Sequence, residues 1–199
     1  MIAYSTKVAP APTVEPVVLS EAKAHLRIPA EDTGDDAYIT ALIMAAREIA
    51  ERYTNLTFIT QVRQLKLDRF PCTSYIELPY GPVASVTEFT YLDSDGASQP
   101  LVLNTDYVLD IHNEVARVQH VNGWPSTACR IATVTIKYSA GFGALSTDVP
   151  YAIRQAILMQ IANLYENRQD EADGVVTHIA YNSTTLLDAH KVYYNANVY

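Results

Sequence analysis

Two stretches of the chain carry apolar residues at the spacing of an amphipathic helix. The first, residues 36–53, begins with Asp36, whose negative charge is favoured at a helix N-terminus. The second, residues 150–167, begins with Pro150, which suits a first helical turn because its missing amide would have no partner there. The apolar stripe of the first helix comprises Ile39, Leu42, Ile43, Ala46, Ile49, Ala50 and Tyr53. The stripe of the second comprises Ile153, Ala156, Ile157, Gln160, Ile161, Leu164 and Tyr165.

A shorter helix is predicted at residues 20–27. Ser20 can cap the free amides of its first turn, and Pro29 marks its end. An acidic loop then leads into the long helix, and its carboxylates are those of Glu31, Asp32, Asp35 and Asp36.

The middle of the chain, residues 58–140, alternates between apolar and polar positions and is rich in β-forming residues. Six strands are predicted, at residues 58–68, 75–78, 83–92, 107–111, 115–121 and 133–138. Residues 93–96 read Asp-Ser-Asp-Gly, which is a turn signal. Because no helix separates these strands, they predict an antiparallel meander or a small barrel. The fold class is therefore α+β: a helical core of about three to four helices, an antiparallel β-rich insertion and an extended C-terminal tail.

The two ends of the chain have little periodicity. Residues 1–18 hold three prolines and are predicted to form an extended arm, followed by a main domain at residues 19–168. Residues 169–199 are predicted to be a polar linker and a tail, in which Ser183 could cap a short helix through Lys191. Aromatic anchors without a core of their own favour docking onto a partner protein. The docking candidates are Tyr181, Leu186, Leu187, His190, Lys191, Tyr193, Tyr194 and Tyr199.

Composition narrows the class of protein. Hydrophobic residues make up 49% and charged residues 18%, which is globular composition, and no apolar run is long enough to span a membrane. The chain shows no secretory signal, so Cys72 and Cys129 are expected to be free thiols in a reducing cytosol. The net charge of −8 argues against a protein held to nucleic acid by phosphate contacts, although DNA could slide past such a surface.

No pattern for catalysis, a cofactor or a metal rises above background, so the chain is not expected to be an enzyme. Asp93 and Asp95 fit a hairpin turn better than a calcium loop, because the glycine comes too early and no closing glutamate follows. The acidic loop at residues 31–36 could still hold a hard cation. A hydrolase would need His112 or His120 in a pocket beside an acidic residue, and sequence alone leaves that open. The 14 tyrosines, against 4 phenylalanines and 1 tryptophan, favour protein interfaces.

The order of segments resembles the phage head–tail connector family, the adaptor or head-completion group that also occurs in gene transfer agents. The resemblance covers residues 17–168 and continues weakly to residue 187. It departs from the family pattern at residues 62–64, Val-Arg-Gln, where the family often has a tryptophan. It departs again after Leu186 and Leu187, where Asp188 stands instead of an aromatic–arginine pair. The segments that carry it are residues 19–28 (LSEAKAHLRI), 41–54 (ALIMAAREIAERYT), 65–71 (LKLDRFP), 76–79 (IELP), 134–143 (VTIKYSAGFG), 156–158 (AIL) and 165–168 (YENR).

The resemblance implies a structural protein assembled in the host cytoplasm and located in the neck of the virion. It implies a dodecameric ring of copies that lies under the portal protein, lines the DNA exit channel and receives a tail-side connector or tail terminator protein. The C-terminal segment would reach the portal. Candidate residues for contacts between copies are Arg47, Glu51, Arg52, Asp93 and Asp95. The alternative is a tail or baseplate module that binds a receptor or sugar through the β-rich region.

Overall fold

The computed structural model describes residues 4–8, 12–113, 115–167 and 183–194. These residues fall into two compact units. The β unit comprises residues 4–8 and 12, Asn55–Phe142 and residues 192–194, and the helical unit comprises Thr13–Thr54 and residues 143–167 and 183–191. The elements, in chain order, are β1 (Tyr4–Val8), α1 (Leu19–His25), α2 (Asp36–Thr54), β2 (Gln61–Leu67), β3 (Tyr75–Leu78), β4 (Val83–Leu92), β5 (Ser98–Pro100), β6 (Tyr107–Asp110), β7 (Ala116–His120), β8 (Val134–Ala140), α3 (Tyr151–Glu166) and α4 (Ser183–Asp188).

The β unit contains two antiparallel sheets, with strand orders β1-β2-β8-β4-β5 and β3-β7-β6. The predicted α+β class and the antiparallel pairing are confirmed. The predicted meander is wrong, because β8 pairs with both β2 and β4 and so lies between strands that precede it in the chain. The alternative, a small barrel, is wrong because the strands form two separate sheets. The prediction also missed β5. Within the arm predicted at residues 1–18, Tyr4–Val8 forms a strand that pairs with β2.

Alternation in β2 and β8 produces the core of the β unit. Alternate residues of both strands are buried, so each strand turns one face inward. Both sheets contribute to this core, whose buried members are Leu65, Leu67, Phe70, Ile76, Leu78, Val83, Phe89, Tyr107, Ala116, Val118, Val134, Ile136, Tyr138 and Ala140. The hydroxyl of Tyr138 donates to the Pro79 carbonyl at 2.5 Å, which satisfies the polar tip of a fully buried ring.

The helical unit contains four helices within the described residues, and three of them lie close to their predicted bounds. The predicted role of Ser20 as the cap of α1 is wrong, because the helix begins one residue earlier and its N-cap is Val18. The Val18 amide instead donates to the Glu21 carboxylate at 3.2 Å. At the other end, Arg27 has a φ of 59°, and the Ile28 amide donates to the Lys23 carbonyl at 2.9 Å. This Schellman-type ending stops the helix before Pro29.

The buried stripe of α2 is rotated from the predicted one. Ile49, predicted to face the core, is 49% exposed, whereas Arg47 and Glu51 are only 5% and 6% exposed. The reason is electrostatic: the two charged side chains lie one turn apart and pair at 3.0 Å, so each can be buried with a partner. No helix among the described residues is long and apolar enough to cross a membrane.

Replacing Gly141 by alanine should sharply destabilise the β unit. Its φ is 140°, and an added Cβ would lie 2.4 Å from the backbone nitrogen of Thr60. We expect Gly141→Ala to lower the free energy of unfolding by roughly 3 kcal/mol, measured by urea denaturation. Gly123→Ala is the matched control: its φ is 99° but no atom lies within 4 Å of the added Cβ, so only backbone strain of about 1 kcal/mol is expected. Equal losses in the two variants would contradict the steric explanation.

Candidate docking surfaces

The first part of the predicted docking tail packs against its own chain, inside the helical unit. Leu187 of α4 is fully buried. The hydroxyl of Tyr53 donates to the Asp188 carboxylate at 2.5 Å, and the ammonium of Lys191 lies 4.3 Å from the centre of the Tyr53 ring. The end of α2 therefore holds α4 in place by one hydrogen bond and one cation–π contact.

The following residues, 192–194, pack inside the β unit. The Asn55 side-chain amide donates to the Val192 carbonyl at 3.0 Å. The hydroxyl of Tyr194 accepts a hydrogen bond from the Tyr80 amide at 2.6 Å and donates to the Asn55 carbonyl at 2.9 Å. Burial raises the pKa of Tyr194 from 10.0 to about 12, so this hydroxyl remains protonated at neutral pH.

Leu187, Val192 and Tyr194 of this segment, which was predicted to lack a core of its own, thus pack against other parts of their own chain. Of the predicted docking residues that the structure describes, Tyr193 is the most exposed, at 77%, while Leu186 and His190 are partly buried. Tyr181 and Tyr199 lie outside the described residues. The docking role of the segment remains a prediction, and within the described part Tyr193 offers most of the surface for it.

The predicted subunit-contact residues fall into two groups. Arg47 and Glu51 lie inside the helical unit, where Arg47 also pairs with Glu15 at 2.8 Å. Burial raises the pKa of Glu15, and the charge and hydrogen bond of Arg47 offset part of that rise. With this degree of burial, Arg47 and Glu51 stabilise their own chain and offer little surface to a neighbour. Arg52 is exposed, and it keeps its place as a candidate.

The other two contact candidates, Asp93 and Asp95, lie in the β4–β5 turn. The Asp93 carboxylate accepts hydrogen bonds from the Ala97 amide at 3.0 Å and the Gln99 side chain at 2.8 Å. The Gln99 hydrogen bond, followed by that of Ala97, lowers the pKa of Asp93. Asp93 is thus a turn-forming residue, as the turn signal indicated, whereas Asp95 is exposed and available for contacts.

The acidic loop at residues 31–36 is organised by a lysine. The ammonium of Lys23, a residue only 5% exposed, donates to the carbonyls of Ala30 and Asp32 at 3.0 and 2.5 Å and to the Asp36 carboxylate at 2.8 Å. A protein cation thus occupies the position considered for a metal. No group of three or more metal-ligating side chains occurs among the described residues. The apolar pattern did not indicate this role, because it does not show which acceptors a lysine of α1 will meet in the loop that follows.

Neither of the histidines proposed for a hydrolase, His112 and His120, lines the cavity that the structure describes in the β unit. The His112 amide donates to Asp110, and the ring nitrogen of His120 accepts a hydrogen bond from the Gly123 amide at 2.8 Å. A cavity of about 320 Å³ lies nearby, and neither histidine lines it. Its lining residues are Tyr91, Leu101, Asp106, Asn122, Gly123, Trp124 and Pro125.

Removing the Tyr194 hydroxyl should destabilise the β unit. Tyr194→Phe leaves the Tyr80 amide without its acceptor, and we expect a loss of about 1–3 kcal/mol in urea denaturation at pH 7. The control is Tyr151→Phe, the same change at a tyrosine that is 82% exposed, with almost no effect. Because the folded-state pKa is raised, the stability from the neutral hydroxyl is complete below pH 10 and lost as pH rises through about 12. A difference between the Tyr194 variant and wild type that grows with pH would contradict this role.

Comparison with known proteins supports the predicted resemblance and the fold. No curated protein matches the chain. Eight chains in solved structures match it, among them three from particles that match over almost its whole length. A chain in the neck of an empty gene transfer agent (GTA) particle, computed with C6 symmetry, has a TM-score of 0.81 and 24% identity, covering 98% of this chain and 99% of that one.

The other two solved chains come from native particles. One, in the virion of a native GTA particle, has a TM-score of 0.80 and 23% identity, covering 96% of each chain. The other, in the neck of a native GTA particle computed with C12 symmetry, has a TM-score of 0.74 and 24% identity, covering 100% of this chain and 99% of that one. Residues 16–88 match the model of the phage gp6-like head-tail connector protein family. The resemblance predicted from the sequence is therefore confirmed: this chain carries the sequence pattern of the phage head–tail connector family over residues 16–88.

Proposed function

We propose that this protein is a structural head–tail adaptor: a ring of copies in the neck of a phage or phage-like particle, between the portal and the tail. The observation that carries the proposal is the match, over nearly the full length of both chains, to chains from GTA necks computed with C6 and C12 symmetry. The independent match of residues 16–88 to a head–tail connector family supports the same role. Both comparisons concern structural components of particles, which favours a structural role over an enzymatic one.

The finer features of the proposal follow from symmetry and charge. Twelve copies agree with the C12 symmetry of the native GTA neck. Such a ring has heterologous contacts, in which one face of each copy meets a different face of the next. The net charge of −8 favours passage of DNA through the ring without adhesion, because phosphates are repelled by a surface of the same sign. The partners are then the portal protein, the neighbouring copies and a tail-side connector or tail terminator protein.

Mass measurement by light scattering tests the proposal directly. The purified chain is measured alone and then mixed with the portal protein of the same particle. We expect a large complex with one adaptor per portal subunit, whether or not the chain alone is a monomer. No complex at tens of micromolar, where an interaction with a micromolar Kd must be visible, would overturn the proposal and favour the alternative of a receptor- or sugar-binding tail module.

A second experiment tests the C-terminal segment as the portal contact. Tyr193→Ser removes the most exposed aromatic side chain of residues 183–194 and leaves in place Leu187, which is buried, and Tyr194, whose hydroxyl is hydrogen-bonded. We expect at least a tenfold weaker affinity for the portal, measured by titration calorimetry, with the fold of the variant checked by urea denaturation. Ile131→Ser is the control, since Ile131 is 83% exposed in the β unit and lies outside the segment. If the two variants bind the portal equally well, the segment does not supply the contact.

A further inference from the structure

Tyr151 is an exposed aromatic residue beside a hydrogen-bonded arginine. It is the first residue of α3 and is 82% exposed. The guanidinium of Arg154 lies 5.6 Å from the centre of its ring. Arg154 is held in place, because it donates to the Pro16 carbonyl at 3.2 Å and to the Glu21 carboxylate of α1. Tyrosine and arginine are both enriched among the residues that dominate binding energy at interfaces.

A groove of the helical unit can receive such a ring. It has a volume of about 440 Å³ and is lined by Leu19, Ser20, Lys23, Ala24, Ile28, Ala30 and Asp36. Four of these residues supply apolar walls. Asp36 supplies a carboxylate, of which Oδ1 accepts from Lys23 and Oδ2 can accept from a phenol. The shape and chemistry suit a tyrosine: apolar walls for the ring and one acceptor for the hydroxyl.

The Arg154–Glu21 contact beside Tyr151 and the groove lie on different sides of α1. Glu21, which holds Arg154 beside Tyr151, shares its side of the helix with His25, one turn later. The groove uses Leu19, Ser20, Lys23 and Ala24. At roughly 100° per residue, the middles of these two sets lie about 150° apart around the helix axis. Tyr151 therefore cannot fill the groove of its own chain, because that groove lies on the far side of α1.

We propose that Tyr151 of one copy inserts into the groove of a second copy, with its hydroxyl donating to Asp36, and that this contact closes the ring. This inference rests on the proposed function, because a heterologous ring requires two different and complementary faces on each copy. Placing the projecting residue and the receiving groove on opposite sides of one helix meets that requirement.

Cross-linking tests the pairing without altering Tyr151. The test uses a background in which the exposed Cys72 and Cys129 are replaced by serine. One variant then carries Gln155→Cys, about one helical turn after Tyr151, and the other carries Ala30→Cys at the rim of the groove. Both positions are exposed. In the presence of portal, a bis-maleimide should cross-link the two variants when they are mixed, and it should not cross-link copies of either variant alone. A chain with both cysteines should give a ladder of products. Products from the Gln155→Cys chain alone would indicate a symmetric contact and overturn the proposal.

Tyr151→Ser in these same cysteine variants identifies the anchor. We expect it to abolish cross-linking and to raise the concentration for half-maximal assembly about tenfold or more, whereas Tyr151→Phe should have a smaller effect. Tyr193→Ser is the control and should leave cross-linking unchanged. Light scattering of the wild-type chain with portal separates the two proposals. A ring of normal mass without cross-linking overturns the Tyr151 contact alone, whereas the absence of any ring overturns the adaptor proposal and this contact with it.

Discussion

The helical unit depends on one buried ammonium group. Lys23 joins α1 to the start of α2 and organises the intervening loop, through two carbonyls and the Asp36 carboxylate. Because a buried charge is tolerated only when it is paired and hydrogen-bonded, these acceptors must be in place whenever the unit is folded. The same constraint shapes the groove beside α1, since Lys23, Ala30 and Asp36 all line it. The shape of this groove is therefore set by an interaction within the chain.

A second buried cation explains why the sequence predicted α2 correctly but not its orientation. The spacing of Ile39, Ile43, Ala46 and Ala50 specified a helix and most of its buried face. A pattern of apolar residues cannot show that Arg47 and Glu51 neutralise each other, so it placed the face toward Ile49 instead. The sequence also lacked any local sign that Glu15, more than thirty residues away, completes this cluster. Paired charges at one-turn spacing beside an apolar stripe were the signal that could have corrected the prediction.

Long-range pairing limited the prediction elsewhere in the same way. Strand positions followed from local alternation, but the insertion of β8 between β2 and β4 depends on contacts between residues far apart in the chain. The C-terminal segment was predicted to dock because it is aromatic and has no core of its own. In the structure, Leu187 is buried and the Tyr194 hydroxyl is hydrogen-bonded, in both cases by residues distant along the chain. Tyrosine content alone could not show that Tyr194 is partly buried whereas Tyr193 is exposed.

Exposure, and not residue type, separates the tyrosines that are satisfied within this chain from the one proposed for the interface between copies. Tyr138 is buried and Tyr194 is partly buried, and both donate to backbone carbonyls, so their polar tips are satisfied within the chain. Tyr151 shows the opposite arrangement: its ring is exposed, with the guanidinium of Arg154 5.6 Å from its centre. An exposed ring still has its apolar surface to bury on binding. In the proposed ring the same contact would be repeated at every interface, which is why we propose this residue for the contact between copies.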